Sequence, residues 1–368
     1  YKRQIYSLSV ERAACRSMDL SPLKTCKLKV LSLKDCGVNS LNFQPLATSP
    51  LHKLYVINCP LKKIDVSPLK NTLTELWLGT LQNTYFWEEI NHKQTKPKYQ
   101  LLDLSKMKKL KRVYAYGVAS LKTVKLKDTK TKQGIRSLLE LHLYGTGIRT
   151  LDATAAKNLK RLFVGDRIRK LTVDKCKKLK EIGVINLGSK QAATIKSSSV
   201  QHIQYQGKTL KNLSFSKCPK LYTLSIKCTK VGTVNLRSNK RLHYMTLNSK
   251  KTGKVVYPKV STKGWHDCCD LVETNYYKNL DEFKNDPDAK GVYKEYVGYT
   301  LEYPTKILDI SAWTSLNKTV KRCMFGYGDF DHEKCATKKI IINKKLRKAD
   351  KKWIKKFAKK WHVKVVEK

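Results

Sequence analysis

The amino-acid sequence predicts an α/β repeat solenoid, built from parallel strands with two short extended segments in each unit of about 21 residues. Three observations support this fold class. An apolar pattern, LxxLxL, recurs along most of the chain, a second apolar pair follows it in most units, and a basic amphipathic helix lies near the carboxyl end. Because the open end of a solenoid must be covered, we expect that terminal helix to act as a cap.

The LxxLxL pattern defines the units. The last six starts are spaced 20 or 21 residues apart, and each unit continues with a second pair such as Ile64/Val66 or Leu171/Val173. Alternate residues of a strand point to opposite faces, and a six-residue segment cannot bury one face alone, so neighbouring units must stack around a shared core. The pattern begins at Leu28, Leu51, Leu73, Leu110, Leu138, Leu159, Leu179, Val200, Leu221 and Leu242.

Units such as LHKLYVINCPLKKIDVSPLKN and LYTLSIKCTKVGTVNLRSNKR resemble the leucine-rich repeat family over roughly residues 28–257. Cys36 and Cys59 stand where that family places an inward Asn or Cys. The LDLS-like second segments look most like the repeats of secreted or cell-surface bacterial proteins. The resemblance implies a leucine-rich repeat β-solenoid and an extracellular recognition or adhesion protein.

Two interruptions and a change of composition give the predicted domain organisation. The first insertion carries Tyr85, Phe86 and Trp87, and two interpretations stay open for it, a loop packed over a ridge and a binding loop. The predicted regions are an N-terminal cap or first partial repeat at 1–27, the solenoid at 28–261 with insertions near 79–100 and 127–137, an irregular aromatic- and Cys-containing extension at 262–340, and a basic helical cap at 341–368.

The charge balance points to anionic partners. The chain carries 76 Lys and Arg against 29 Asp and Glu, a formal net charge of +47, while its 41% hydrophobic content rules out a disordered chain. No run of 18 apolar residues is present, so no transmembrane helix is predicted. We expect a secreted or cell-surface protein whose signal peptide has been removed, and a cytoplasmic location stays open.

Aromatic residues recur at the solvent-facing position inside LxxLxL. Such a row of rings predicts a binding surface for a ligand or partner. The alternatives are that β propensity alone selects the rings, or that a loop or partner domain covers them. The candidate residues are Tyr55, Trp77, Tyr114, His142 and Phe163, with Tyr116 and Tyr144 two residues further along their strands.

Basic residues recur in the second segments, where stacking would align them along one flank. Such a flank could bind teichoic acid, sulfated glycan, lipopolysaccharide or nucleic acid through charge, or could be a solvated face. The residues are Lys122, Lys125, Lys127, Arg167, Arg169 and Lys170.

The chain has eleven cysteines, and those of the repeats are expected to be unbridged core residues. In the irregular extension, disulfides would compensate for weak packing. His266 and His332 raise zinc as an alternative there, but the spacing matches no standard zinc pattern, so no metal is predicted. The possible disulfide region contains Cys268, Cys269, Cys323 and Cys335.

No Ser/His/Asp arrangement, phosphate-binding loop, dinucleotide fingerprint or HExxH motif occurs, so neither an enzyme nor a cofactor is predicted. The sequence favours a binding or adhesion protein that recognises a protein, a glycan or an anionic polymer through the aromatic face and basic flanks. The alternatives are a structural protein that assembles into a surface layer or filament, and a nucleic-acid binder, for which no recognised module is present.

Overall fold

The computed structural model describes residues 4–80, 96–165, 167–186, 195–259, 298–301, 305–316, 320–321 and 337–368. The chain divides into two compact units, residues 1–189 and 190–368. Both are built from parallel strands, and the leucine-rich repeat solenoid predicted from the sequence is confirmed.

In the first unit, each strand of the main sheet follows the start of an LxxLxL pattern by two residues, as Val30 follows Leu28. The strands pair in parallel in the order β1 (Ser7–Glu11), β2 (Val30–Lys34), β3 (Lys53–Ile57), β4 (Glu75–Gly79), β6 (Arg112–Tyr116), β8 (Glu140–Leu143), β10 (Arg161–Val164) and β12 (Glu181–Asn186).

The second segments form two smaller parallel pairs. These are β5 (Leu101–Asp103) with β7 (Thr123–Lys125), and β9 (Thr150–Asp152) with β11 (Lys170–Thr172).

Each sequence repeat forms one coil of the solenoid, and the core lies between the first and second segments of each coil. Leu31, Leu54 and Leu76 occupy successive strands and are fully buried. Burying each leucine side chain contributes about 1.5–3 kcal/mol, so the repeating leucines stabilise the stack of coils.

A left-handed backbone residue turns the chain between the two segments. Asp35 (φ 55°), Asn58 (φ 52°) and Gly117 (φ 65°) hold corresponding places after their first strands. Asn, Asp and Gly are the residues that adopt this conformation at low cost. At Gly117 the backbone also passes so close to Thr80 that a β-carbon would overlap the Thr80 hydroxyl.

In many of the described coils the second segment ends in an Asx turn, in which a carboxylate or amide oxygen accepts the N–H two residues ahead. In the early coils a proline-containing 3₁₀ helix follows, as at Ser67–Leu69. Many of the aspartate side chains therefore already have one carboxylate oxygen hydrogen-bonded within a turn. Its acceptors include Asp19, Asn42, Asp65, Asp103 and Asp152 in the first unit, and Asn235, Asp309 and Asn343 in the second.

In the second unit the two segments of a coil merge into one long strand. Gly207, Cys228 and Ser249 stand where the turn residue of the first unit stands, and the strands continue through all three, although Gly207 could adopt a left-handed turn. These thirteen-residue strands are β13 (His202–Ser214), β14 (Thr223–Asn235) and β15 (Tyr244–Val256).

Parallel pairing continues beyond residue 261 in the described segments. Strand β16 (Gly298–Leu301) pairs with the first half of β15, and β17 (Thr305–Asp309) pairs with its second half. Strands β18 (Lys339–Ile342) and β19 (Lys364–Glu367) follow, each paired with the strand before it.

The terminal helix predicted from the sequence is present as α1 (Lys348–Lys360). It connects β18 to β19 and buries Asp350, Ile354 and Ala358 along one face. Trp353 and Phe357 lie beside that face with parallel rings and are half-buried. The helix is therefore the crossover of the last coil, with β19 added after it.

Within the described ranges, no helix has both the length and the apolar character needed to cross a membrane.

Candidate functional site

The rings predicted on the first sheet occupy directly opposed positions of neighbouring strands. Tyr55 faces Trp77 in the register, Trp77 faces Tyr114, Tyr114 faces His142, and His142 faces Phe163. We call these five residues the aromatic stripe. They form one row along the outer surface of the first unit, because successive strands of the sheet each contribute one ring.

Three of the four neighbouring pairs in the aromatic stripe stack, and the fourth, Tyr114 with His142, is tilted at 42° with the centroids 4.7 Å apart. The centroids of Trp77 and Tyr114 lie 4.0 Å apart with an interplanar angle of 23°, and those of His142 and Phe163 lie 4.5 Å apart at 27°. Tyr55 lies 6.0 Å from Trp77 at 24°. Side chains stand roughly perpendicular to a sheet, so the half-buried rings from Tyr55 to His142 turn their outer edges, and not their faces, to solvent. Phe163, predicted to face solvent, is buried at 9% exposure.

Tyr116 and Tyr144 form a second, shorter row beside the aromatic stripe. Their rings stack at 6.3 Å and 18°. Tyr116 meets the His142 ring edge-on at 6.2 Å, and Tyr144 meets the Phe163 ring edge-on at 5.7 Å. All seven predicted ring residues therefore belong to one connected cluster.

On the other side of the aromatic stripe lies a row of alternating charge, which the sequence interpretation missed. We call it the charge ladder; five of its members stand two residues before a ring, and Glu181 stands two residues before Gly183. Glu140 is its centre, with an oxygen 2.6 Å from Arg161 Nη2 and 3.8 Å from Arg112 Nε, while Arg112 Nη1 lies 3.2 Å from Glu75. In order, the charge ladder is Lys53, Glu75, Arg112, Glu140, Arg161 and Glu181.

The charge ladder and the aromatic stripe are joined by hydrogen bonds. Trp77 Nε1–H donates to Glu75 Oε1 at 2.7 Å, and the Tyr114 hydroxyl donates to Glu140 Oε2 at 3.2 Å. The Tyr116 hydroxyl lies 3.2 Å from His142 Nδ1. Four polar atoms of the ring cluster are thus paired within the protein.

Burial keeps the cluster uncharged. It raises the pKa of Tyr114 and of Tyr116 to about 12, with the nearby Glu140 carboxylate adding to the effect. Burial also lowers the pKa of His142 to about 4, outweighing the attraction of Glu140, which favours the charged form. His142 is therefore neutral at pH 7, and its 3.8 Å approach to Glu140 is not an ion pair at that pH.

The predicted basic flank is more mixed than a lysine ladder. Lys125 of β7 faces Asp103, whose Oδ2 lies 4.0 Å from its ammonium group, and Lys170 of β11 faces Thr150. Along this flank, positively charged side chains alternate with neutral or acidic ones. Exposed positions are held by Lys122, Lys125, Lys127, Arg167, Arg169 and Lys170.

The thiols of the described repeats are structural. Cys36, Cys59, Cys176 and Cys218 are buried and unbridged, and burial raises the pKa of Cys59 to about 12, which suppresses the reactive thiolate. The described ranges contain no group of three His, Cys, Asp or Glu side chains placed to hold a metal ion. The possible disulfide region, Cys268, Cys269, Cys323 and Cys335, lies outside the described residues, as do Tyr85, Phe86 and Trp87.

The charge ladder had a signal in the sequence. Its residues occupy the third position of each LxxLxL pattern, and their signs alternate from Lys53 to Glu181. These equivalent positions predict a row of neighbouring charges, just as the equivalent ring positions predict the aromatic stripe, since opposed residues of parallel strands are neighbours.

Solved structures similar to this chain include a leucine-rich repeat protein of Leptospira interrogans, 14% identical over 92% of this chain and 78% of that one, with a TM-score of 0.40. The functional domain of InlJ from Listeria monocytogenes is 14% identical over 85% of this chain and 70% of its own, with a TM-score of 0.32. The leucine-rich repeat domain of APL1 is 12% identical, covering 88% and 83%, with a TM-score of 0.38.

No protein-family model matches the chain, and no curated protein sequence matches it. The likeness to the solved structures concerns the repeat architecture, which the strand register of this chain establishes independently.

Proposed function

We propose that this protein is a non-enzymatic recognition protein that binds a partner protein through the aromatic stripe. The observation that carries the proposal is the row of rings whose edges face solvent. Within it, the polar atoms of Trp77 and Tyr114 are already hydrogen-bonded inside the protein. Such a row offers a ligand apolar contact with little demand for hydrogen bonding. Partner proteins supply that contact with aliphatic and aromatic side chains.

A glycan fits this surface less well. Sugar rings bind by lying on exposed aromatic faces and by exchanging hydrogen bonds with polar groups, but the faces of Trp77 and Tyr114 are stacked on each other. The indole N–H and the Tyr114 hydroxyl are bonded to Glu75 and Glu140. Breaking those bonds to serve a ligand would leave buried acceptors unpaired, at a cost of about 1–3 kcal/mol each.

An anionic polymer also fits this particular surface less well than a protein. The charge ladder alternates in sign, so its six charges largely offset one another, and His142 beside it is neutral at pH 7. The aromatic stripe is therefore an uncharged area within a protein of net charge +47. We expect binding there to depend weakly on ionic strength, in contrast to binding led by charge.

The stacking also prepares the surface for binding. Each ring is held by its neighbours, so few rotamers are lost when a partner docks. Trp and Tyr are the residue types that most often dominate the energy of protein interfaces. We therefore assign the main contacts to Trp77 and Tyr114, at the middle of the five-ring row.

The resemblance of the repeats to those of secreted or surface-anchored bacterial proteins supports a role for this interaction outside the cell. The charge of +47 would assist retention at an anionic surface. Cell fractionation with an antibody to the protein tests this location, and recovery in the cytoplasmic fraction alone would contradict it.

The binding proposal is tested with a random peptide library displayed on phage. Selection on the wild-type protein, after depletion on a Trp77→Ala/Tyr114→Ala variant, should enrich peptides rich in apolar and aromatic residues and poor in acidic ones. Their affinity should change less than about twofold between low and physiological salt. Lys24→Gln/Lys27→Gln, two exposed positions away from the rings, is the matched control and should bind them as the wild type does.

Two outcomes would overturn the proposal. One is that no peptide prefers the wild type to the Trp77→Ala/Tyr114→Ala variant when both have the same thermal stability. The other is that glycans on an array bind the wild type but do not bind this variant, which would assign the aromatic stripe to sugar recognition.

A further inference from the structure

A second site lies on the second segments of the first unit, away from the aromatic stripe. Two cavities of about 530 and 520 Å³ share Lys106 in their linings. They cross three successive coils. We call them together the basic groove, after the cationic residues that line it: Lys62, Lys63, Lys70, Lys98, Lys106, Lys108 and Arg136.

The carboxylates of the basic groove are already engaged in turns. Asp65 Oδ1 accepts the Ser67 N–H at 2.9 Å, and Asp103 Oδ1 accepts the Ser105 N–H at 3.0 Å. Asp128 Oδ1 accepts two backbone N–H groups at 2.8 Å, and these bonds lower the pKa of Asp128.

The cations, in contrast, form no salt bridge within the described residues, although the charge of Lys106 also helps to lower the pKa of Asp128. Among the described residues, none of the seven cationic groups of the basic groove has a carboxylate oxygen within 4.0 Å, whereas Lys125 next to it does. The seven side chains are all exposed. The basic groove therefore sets seven cationic side chains against three carboxylates, Asp65, Asp103 and Asp128, and this excess of positive charge is the condition for attracting an anion.

The shape of the basic groove favours a chain over a single ion. An isolated phosphate would occupy one cavity and meet the lysines of that cavity only. A linear polyanion could run through both cavities past Lys106, and each further charge that it places near an ammonium group adds to the attraction.

The residues that line the basic groove argue against nucleic acid as the linear polyanion. Nonspecific binding of single strands depends on exposed aromatic rings on which bases stack. The aromatic residue of the basic groove is Tyr99, and it is 3% exposed. Leu101, at 41% exposure, is the large apolar side chain at the surface of the groove. Ammonium groups act on phosphate as point charges and need no planar partner.

We propose that the basic groove binds a linear phosphate-bearing polymer without bases, seated across both cavities with Lys106 at its centre. This site is independent of the aromatic stripe, so either could be correct without the other.

Purified full-length protein would be titrated with orthophosphate, tripolyphosphate and long-chain inorganic polyphosphate, and with single-stranded oligonucleotide, by calorimetry at several salt concentrations. We expect affinity to rise at each step of phosphate chain length and the oligonucleotide to bind more weakly than polyphosphate at equal charge. Lys62→Gln/Lys106→Gln/Lys108→Gln should weaken polyphosphate binding more than tenfold and reduce the salt slope by about three.

The matched control is Lys24→Gln/Lys27→Gln/Lys240→Gln, which removes the same charge from exposed positions outside the groove. It should weaken polyphosphate binding less than threefold. Equal losses in the two triple variants would show diffuse charge attraction and overturn the proposal. Equal affinity for orthophosphate and polyphosphate would reduce the site to a single-ion site, and stronger binding of the oligonucleotide would assign it to nucleic acid. Both results would contradict the proposal.

Discussion

The ring of Phe163 lies across Gly183, the residue that faces it on the next strand. A β-carbon on Gly183 would overlap Cδ1 of Phe163 and lie 2.6 Å from the Tyr144 hydroxyl oxygen. The aromatic stripe therefore ends at Gly183 because the absent side chain leaves room for the last ring to fold over. The glycine is part of the site although it contributes no contact atom of its own.

Gly183→Ala should displace Phe163 and lower the free energy of unfolding by about 1–2 kcal/mol, the usual cost of overpacking. The same substitution in a Phe163→Ala background should cost less than about 0.5 kcal/mol, because the obstructing ring is gone. Chemical denaturation of the four proteins of this cycle measures both values. Equal costs in the two backgrounds would show that the ring does not restrict this position.

His142 should titrate far below an ordinary histidine, because burial lowers its pKa to about 4. Between pH 6.5 and pH 4 the unfolded chain binds a proton at this residue that the folded protein does not. The folded state thus gains up to about 3 kcal/mol from this site above pH 6.5, and the gain is lost as the pH falls from 6.5 towards 4.

Nuclear magnetic resonance of the His142 Cε1 proton would locate the pKa. Unfolding of the wild type and of His142→Phe at pH 7 and at pH 5 measures the linkage, and the stability difference between the two proteins should shift in favour of His142→Phe at pH 5. A His142 pKa above 6 would contradict this prediction.

Glu140 should hold the charge ladder together, because its carboxylate accepts hydrogen bonds from Arg161 and from the Tyr114 hydroxyl. Glu140→Gln should lower the free energy of unfolding by about 1–2 kcal/mol, since a partly buried charged acceptor is removed. Half of the Arg161 side chain is exposed, so solvent screens its interaction with Glu140. The coupling free energy between the two residues should therefore be below about 1 kcal/mol.

A double-mutant cycle of Glu140→Gln and Arg161→Gln measures that coupling. Glu11→Gln, an exposed carboxylate on β1, is the control and should change stability by less than about 0.5 kcal/mol. If Glu140→Gln were as neutral as the control, the charge ladder would have no structural role.

The sequence could predict which residues form the first sheet because the leucine spacing fixes both strand starts and the inward face. The step from Leu28 to Val30 repeats at each coil, and the rings between the leucines then had to point outward. The pattern did not reveal that the segments of β13 and β14 merge, because the apolar spacing is the same in both units, and Gly207 shows that the residue at the turn position does not decide it.

The candidate site was predictable as a set of residues but not as a geometry. Tyr55 to Phe163 could be placed in one row from their equivalent positions, whereas the stacking of their rings depends on rotamers that spacing does not encode. The basic groove joins Lys62 to Arg136 across an insertion, where the repeat no longer gives the register. Only the folded chain shows that Asp103 and Asp128 are engaged by turns.

In the second unit, Asp350 should contribute more to stability than any surface ion pair. It is 1% exposed, with Lys321 Nζ at 2.7 Å, Arg347 Nε at 2.8 Å and the Leu316 N–H at 3.0 Å from its oxygens. Burial alone would raise the pKa of Asp350, but these three donors outweigh it, and the pKa is lowered. The stabilisation is therefore present above the unfolded pKa of about 3.9 and is lost as the pH falls through the folded value.

Asp350→Asn should lower the free energy of unfolding by about 3 kcal/mol at pH 7, because it leaves the Lys321 and Arg347 charges without their counter-ion at the start of α1. Glu367→Gln is the matched control, since the Glu367 carboxylate lies 2.8 Å from Lys351 Nζ but is one-third exposed. Because solvent screens this pair, its loss should destabilise the protein much less than Asp350→Asn does. Denaturation monitored by Trp fluorescence compares the two variants at equal ionic strength. Equal destabilisation would mean that burial of Asp350 does not set its contribution, and that the start of α1 is held by packing of Ile354 and Ala358 instead.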